Sequence, residues 1–168
     1  MVFRKTGRYT VSGPLALGAL VAGASHEHVQ KIADWAIPLG AAFQIIDDML
    51  NLTEFDEMTG KERGGDILEG KRTIPLIHLL RSCRPAERDY IITLYRAPRI
   101  ERTIAHADYV IGLMERYGSI AYAGSIAETF AHAAEEKFAA YASAIPHLNS
   151  RVKDILRDAI NFMIQRKR

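Results

Sequence analysis

The chain holds one cysteine, Cys83. A single thiol forms no internal disulfide and has no partner for a Cys-x-x-Cys metal site, a pattern that suits a reducing compartment. Charge of one sign is also scarce: 22 Lys and Arg stand against 20 Asp and Glu, leaving a net charge of +2. With no basic patch interleaved with aromatics, that balance leaves no footprint for nucleic acid. Long apolar runs are missing too. The uncharged stretch 9–25 is too short, and too broken by Gly and Pro, for a membrane span. No His-Glu-x-x-His is present, and the residues after Asp56 put Met58 and Gly60 where a calcium hand needs ligands. Neither a period-two strand pattern nor an Asn-Gly hairpin is convincing, and no repeat is visible. What is present is ordinary globular composition, 48% apolar and 25% charged over 168 residues, enough for one domain (1–168) with a real core.

Residues 1–25 admit two readings. Arg4, Lys5 and Arg8 followed by an apolar middle and Ala22-Gly23-Ala24 imitate a secretory signal. The rival is a packed first helix with its basic end turned toward an anion. After it, Ser25 stands as an N-cap with Glu27 in the first turn. Ile32, Trp35, Leu39, Ala42, Ile46 and Met49 recur at helical spacing, predicting one long helix over 26–54 with Pro38 inside it. Residues 55–73 carry Gly60, Gly64, Gly65 and Gly70 among charges of both signs and read as a mobile surface loop. Helical spacing returns over 75–81, 85–95, 104–114, 120–138 and 152–163. The fold class is therefore all-α, with about six or seven helices in a bundle.

On the long helix, Gln44, Asp47, Asp48 and Asn51 stand at i, i+3, i+4 and i+7, one narrow polar stripe. Ile45, Ile46, Met49 and Leu50 fill the rest of the circumference, so the stripe faces either an internal cavity or water. Two adjacent carboxylates in a cavity repel each other unless something positive compensates them. Carboxylate and amide oxygens suit a hard cation, and Mg²⁺ is usually completed by water and substrate phosphates. The following loop offers Lys61, Arg63, Lys71 and Arg72 among glycines, with Asp66 and Glu69 between them. Together these residue types describe a site for a polyanion such as a diphosphate. The histidines, scattered along the chain, read as structural or surface residues.

These residues carry a resemblance. The segment GAAFQIIDDMLN, then GKERGGDILEGKRTIPLI, resembles the second aspartate-rich region of the trans-isoprenyl diphosphate synthases, the polyprenyl synthetase family. KTGRYT resembles that family's Lys-Thr motif, which sets the signal-peptide reading aside. The resemblance is dense over 4–78 and general beyond. It implies an all-α fold of the isoprenoid synthase type, about half of which is represented here. It implies a cytoplasmic, usually dimeric prenyltransferase using Mg²⁺, an allylic diphosphate and isopentenyl diphosphate.

By the same carry-over, Lys5, Thr6 and Gln44 are catalytic, with Lys5, Tyr9, Lys61 and Lys71 binding substrate diphosphate. Asp47, Asp48 and Asp66 hold the metal; Asn51, where the family's motif has its third aspartate, is the weakest metal candidate, although some geranylgeranyl-type members carry the same asparagine. The family's first aspartate-rich motif has no counterpart in these 168 residues: the other adjacent acidic pair, Glu135-Glu136, lies on an Ala-rich helix face. The resemblance thus implies the C-terminal half of a prenyltransferase, inactive without its other half. The alternatives are a non-catalytic partner that modulates a full-length synthase, and a helical protein whose acidic stripe is structural.

Overall fold

A computed structural model describes residues 2–53, 63–145 and 148–165. All regular structure among them is helical: a π-helical segment Phe3–Ser12, then α1 (Gly13–Val21), α2 (His26–Thr53), α3 (Gly65–Leu68), α4 (Ile74–Ser82), α5 (Pro85–Arg96), a 3-10 turn Arg99–Glu101, α6 (Ile104–Arg116), α7 (Ser119–Ser143) and α8 (Ser150–Ile164). None of these helices is long and apolar enough to cross a membrane.

Local signals set the boundaries. The His28 N–H donates to Ser25 Oγ at 3.3 Å, which caps α2, and Glu27 pairs with Lys31 one turn on at 2.7 Å. Pro75 and Pro85 occupy the first turns of α4 and α5, where a missing N–H costs nothing. Thr103 and His106 cap α6 reciprocally, at 3.4 and 3.2 Å. The expected helix over 26–54 is α2. The expected loop over 55–73 is not all loop, because α3 lies within it and buries Ile67 and Leu68 at 2% and 1% exposure. Burial of that apolar pair fixes the backbone there. The first segment is folded as well, with Thr6, Gly7, Val11 and Ser12 buried.

The chain divides into two compact units. The first, 1–46 with 126–168, has a core in which Trp35, Ala36 and Leu39 of α2 meet Ala134, Phe138, Tyr141 and Ala142 of α7 and Ile160 of α8. Trp35 meets Phe138 edge to face, ring centres 5.1 Å apart. The second, 47–125, buries Leu52 with Ile67 and Leu68 of α3, Leu76 and Leu79 of α4, Ile91 and Leu94 of α5, and Val110, Ile111, Leu113 and Met114 of α6.

Candidate functional site

In the first unit the π-helical segment lies backbone against backbone on α2. A Cβ added to Gly40 would fall 2.7 Å from the Gly7 Cα and 2.9 Å from the Thr6 carbonyl oxygen. One at Gly7 would fall 2.9 Å from the Ile37 carbonyl oxygen. Only hydrogen at both positions permits the approach. It brings Thr6, 4% exposed, to Gln44 one turn beyond Gly40, and Thr6 Oγ1 donates to Gln44 Oε1 at 2.5 Å. Lys5 and Tyr9, on the same segment, are exposed; Tyr9 shows 81% of its surface.

In the second unit the last turns of α2 meet α3. Asn51 organises the junction: its backbone carbonyl accepts the Gly64 N–H at 2.8 Å, and its Oδ1 accepts the Asp66 N–H at 2.9 Å. Gly64 enters α3 with φ of +73°, a left-handed turn that glycine makes without a Cβ penalty. Asp66 is thereby placed with its carboxylate buried, at 8% exposure, and Asp48 is buried at 7%. The Lys71 ammonium donates to Asp66 Oδ1. That bond above all, together with the charges of Asp66, Asp48 and Asp47, holds Lys71 protonated above its usual range, against the opposing effect of burial.

Asn51 Oδ1 is thus engaged in fixing Asp66. Arg63 turns elsewhere: its Nε caps the Leu52 carbonyl at 3.0 Å and its guanidinium reaches Glu115 and Asp108 of α6, at 3.6 and 4.0 Å. Lys61 lies outside the described residues. Among the described residues Asp66, Asp48 and Asp47 all act on the Lys71 ammonium, and hard oxygen donors of this kind fit a hard divalent cation. Among the described residues no three His, Cys, Asp or Glu side chains converge closely enough to hold an ion by themselves. A cation at Asp47, Asp48 and Asp66 would complete its shell with water and ligand oxygens, as Mg²⁺ does.

Two of the described histidines bond elsewhere. His28 pairs with Tyr141 at 2.9 Å, and His78 stacks on Tyr122 at 4.3 Å while meeting the buried Ser119 Oγ at 3.0 Å. Sequence reasoning passed over Gly7 and Gly40, and it assigned no role to Asn51 beyond a weak ligand. KTGRYT and GAAFQIIDDMLN carry one glycine each, and nothing in either motif shows that the two meet.

Comparison with known proteins follows the same residues. The family model for polyprenyl synthetase matches residues 1–114. The chain belongs to the polyprenyl synthetase family. It is 32% identical to the geranylgeranyl diphosphate synthase of Sulfolobus acidocaldarius, over 98% of this chain and 46% of the relative. The crystal structure of the geranylgeranyl pyrophosphate synthetase from Pyrococcus horikoshii matches with a TM-score of 0.75 and 26% identity, over 99% of this chain and 48% of that one. A geranylgeranyl pyrophosphate synthase from Corynebacterium glutamicum, complexed with calcium and isoprenyl diphosphate, matches with a TM-score of 0.72 and 25% identity, over 98% and 48%. The chain therefore spans about half the length of the relatives it matches. Its all-α class and its kinship with prenyltransferases stand as expected.

Proposed function

We propose that this chain supplies the second aspartate-rich motif and the Lys-Thr motif of an isoprenyl diphosphate synthase, which joins an allylic diphosphate to isopentenyl diphosphate. The observation that carries the reading is the burial of Asp48 and Asp66, with the Lys71 ammonium bonded to Asp66. Such carboxylates are tolerated beside their lysine, and their oxygens are of the hard type that a divalent ion takes.

Asp47, Asp48 and Asp66 would hold Mg²⁺, which when bound supplies positive charge against the departing diphosphate. By the family's pattern Lys5, Lys61 and Lys71 each serve to bind substrate diphosphate, and Tyr9 the substrate. Thr6 and Gln44, already bonded to each other, present their oxygens to the allylic carbon as its C–O bond breaks. The double bond of isopentenyl diphosphate attacks that carbon, a new C–C bond forms, and a proton is lost. The whole enzyme in this reading is cytoplasmic and dimeric. The 168 residues alone transfer no prenyl group, because the first aspartate-rich motif must come from elsewhere in the assembly.

The test supplies that missing half in trans and follows incorporation of labelled isopentenyl diphosphate. Transfer should appear on mixing and vanish with Asp47→Ala, Asp48→Ala. A full-length synthase whose product changes on mixing, with no need for those aspartates, would favour the modulator reading and sink this one.

A further inference from the structure

Helix α3 is only four residues long, too short for its own hydrogen-bond ladder to define it. Its position must be imposed from outside. Asn51 does this at the N-terminal end, as described above. At the other end the Arg102 side chain intervenes. Arg102 Nη1 donates to the Leu68 carbonyl at 2.8 Å. The rest of its guanidinium is spent on the end of α5: Nε to the Leu94 carbonyl at 3.1 Å, and Nη2 to the carbonyls of Tyr95 at 3.1 Å and Ala97 at 2.8 Å. The group also lies over the Tyr95 ring, 5.7 Å from its centre.

These carbonyls lie at the C-terminal ends of α3 and α5 and just beyond, where helix oxygens lack the regular ladder (Leu94 also accepts the Ala97 N–H, at 3.3 Å), and a cation there suits both the oxygens and the helix dipoles. The next turn is moulded on the same side chain. Gly70 has φ of +72°, and a Cβ there would fall 2.7 Å from Arg102 Nη1 and 3.1 Å from its Cζ. Asp66 and Lys71 therefore sit on a segment clamped between Asn51 and Arg102. A second strap, Arg99 Nε to Glu69 Oε1 at 3.0 Å, is exposed at both ends and contributes little.

We infer that Arg102 is a positioning residue for the Asp66–Lys71 pair, setting its geometry for a divalent cation and diphosphate. This rests on the reading of that pair given under Proposed function. Lysine cannot replace it, since one ammonium does not reach four carbonyls on two segments. Arg102→Lys should keep the charge and the stem packing, and hence the fold, while losing the clamp.

The full chain, with Arg102→Gln, Arg102→Lys, Arg99→Gln and Asp66→Asn, is titrated with inorganic pyrophosphate in the presence of Mg²⁺. Amide hydrogen exchange is followed in the absence of ligand. For both Arg102 variants, pyrophosphate affinity should fall tenfold or more, and amides 67–71 should exchange tenfold faster or more while Ile111 in α6 stays protected. Arg102→Lys should recover the melting temperature without recovering affinity, a split that a merely structural role would not show. Arg99→Gln should change either quantity by less than twofold. Wild-type binding that survives unchanged in Arg102→Lys overturns the inference, as does exchange that rises equally in α6 or not at all at 67–71. If the wild type itself binds no more tightly than Asp66→Asn, the metal-site reading fails instead. The clamp is then decided by exchange alone, local acceleration upholding it and its absence refuting it.

Discussion

Replacing Gly40 by alanine should loosen the first unit, although alanine is the better helix former. The three atoms nearest the added methyl are all backbone: the Gly7 Cα at 2.7 Å, the Thr6 oxygen at 2.9 Å and the Gly7 nitrogen at 3.0 Å. Backbone cannot swing away as the end of a side chain can, so the π-helical segment and α2 must separate toward ordinary contact distance. Overpacking of this kind costs about 1–3 kcal/mol, and contact with backbone on three sides argues for the upper end. Glycine to alanine inside a helix returns about 0.5–1 kcal/mol. The net loss is about 2 kcal/mol, or a melting temperature lower by about 4–8 °C for a chain of this size.

Gly18 of α1 and Gly112 of α6 are internal controls, because a Cβ at either meets nothing within 4 Å. Alanine at those positions should raise the melting temperature by about 1–3 °C, the propensity gain alone. Thermal unfolding followed by circular dichroism reads all three variants. A Gly40→Ala chain that melts at or above wild type would refute the close-approach argument, and with it the reason Thr6 meets Gln44.

Three further outcomes are expected. Tyr117 donates to Glu87 Oε2 at 2.6 Å, and this bond first, then the Arg84 N–H and the Arg116 charge, holds the Glu87 carboxyl below its usual range against burial. A depressed carboxyl stabilises above its unfolded pKa and loses that contribution as pH falls through the folded value, so Tyr117→Phe should melt lower than wild type at neutral pH. The gap should close in acid below the usual carboxylate range; a gap that stays constant to about pH 2 would contradict the assignment. Asn51→Ala leaves the Asp66 N–H without its acceptor and should lower stability by about 1–3 kcal/mol in urea unfolding, whereas Asn51→Asp, which keeps an oxygen there, should lose less. Cys83, 5% exposed, should react with a thiol reagent at the rate of unfolding, and fast labelling of the native chain would show that the core of the second unit is open.

The long elements were legible because their periodicity had room to repeat. Residues 26–53 hold more than seven turns, and of the apolar positions chosen from spacing Ile32, Trp35, Leu39 and Ala42 are buried while Ile46 and Met49 are half-buried. Helix α3 was not legible. Four residues cannot show a period of 3.6, and Ile67-Leu68 sits among glycines and charges that favour a loop on local grounds. The polar stripe on α2 was found as one set, yet its members part company: Gln44 turns to Thr6, Asn51 to the backbone of Asp66, and Asp48 is buried. Gly7 and Gly40 left no sign in the sequence, since their need for a bare Cα arises only from each other. Arg102 escaped for the same reason, because its four acceptors are carbonyls, which every residue carries.

The central claim is a Mg²⁺-dependent diphosphate site built on Asp47, Asp48, Asp66 and Lys71. Its most direct test is the melting temperature of the isolated chain with a saturating allylic diphosphate, with and without Mg²⁺. Mg²⁺ and the diphosphate together should raise it, by about 3 kcal/mol of added stability at a hundred times the dissociation constant, while either alone does little and Asp48→Asn with Asp66→Asn abolishes the effect. No shift with both present, or an equal shift in the double variant, would contradict the account.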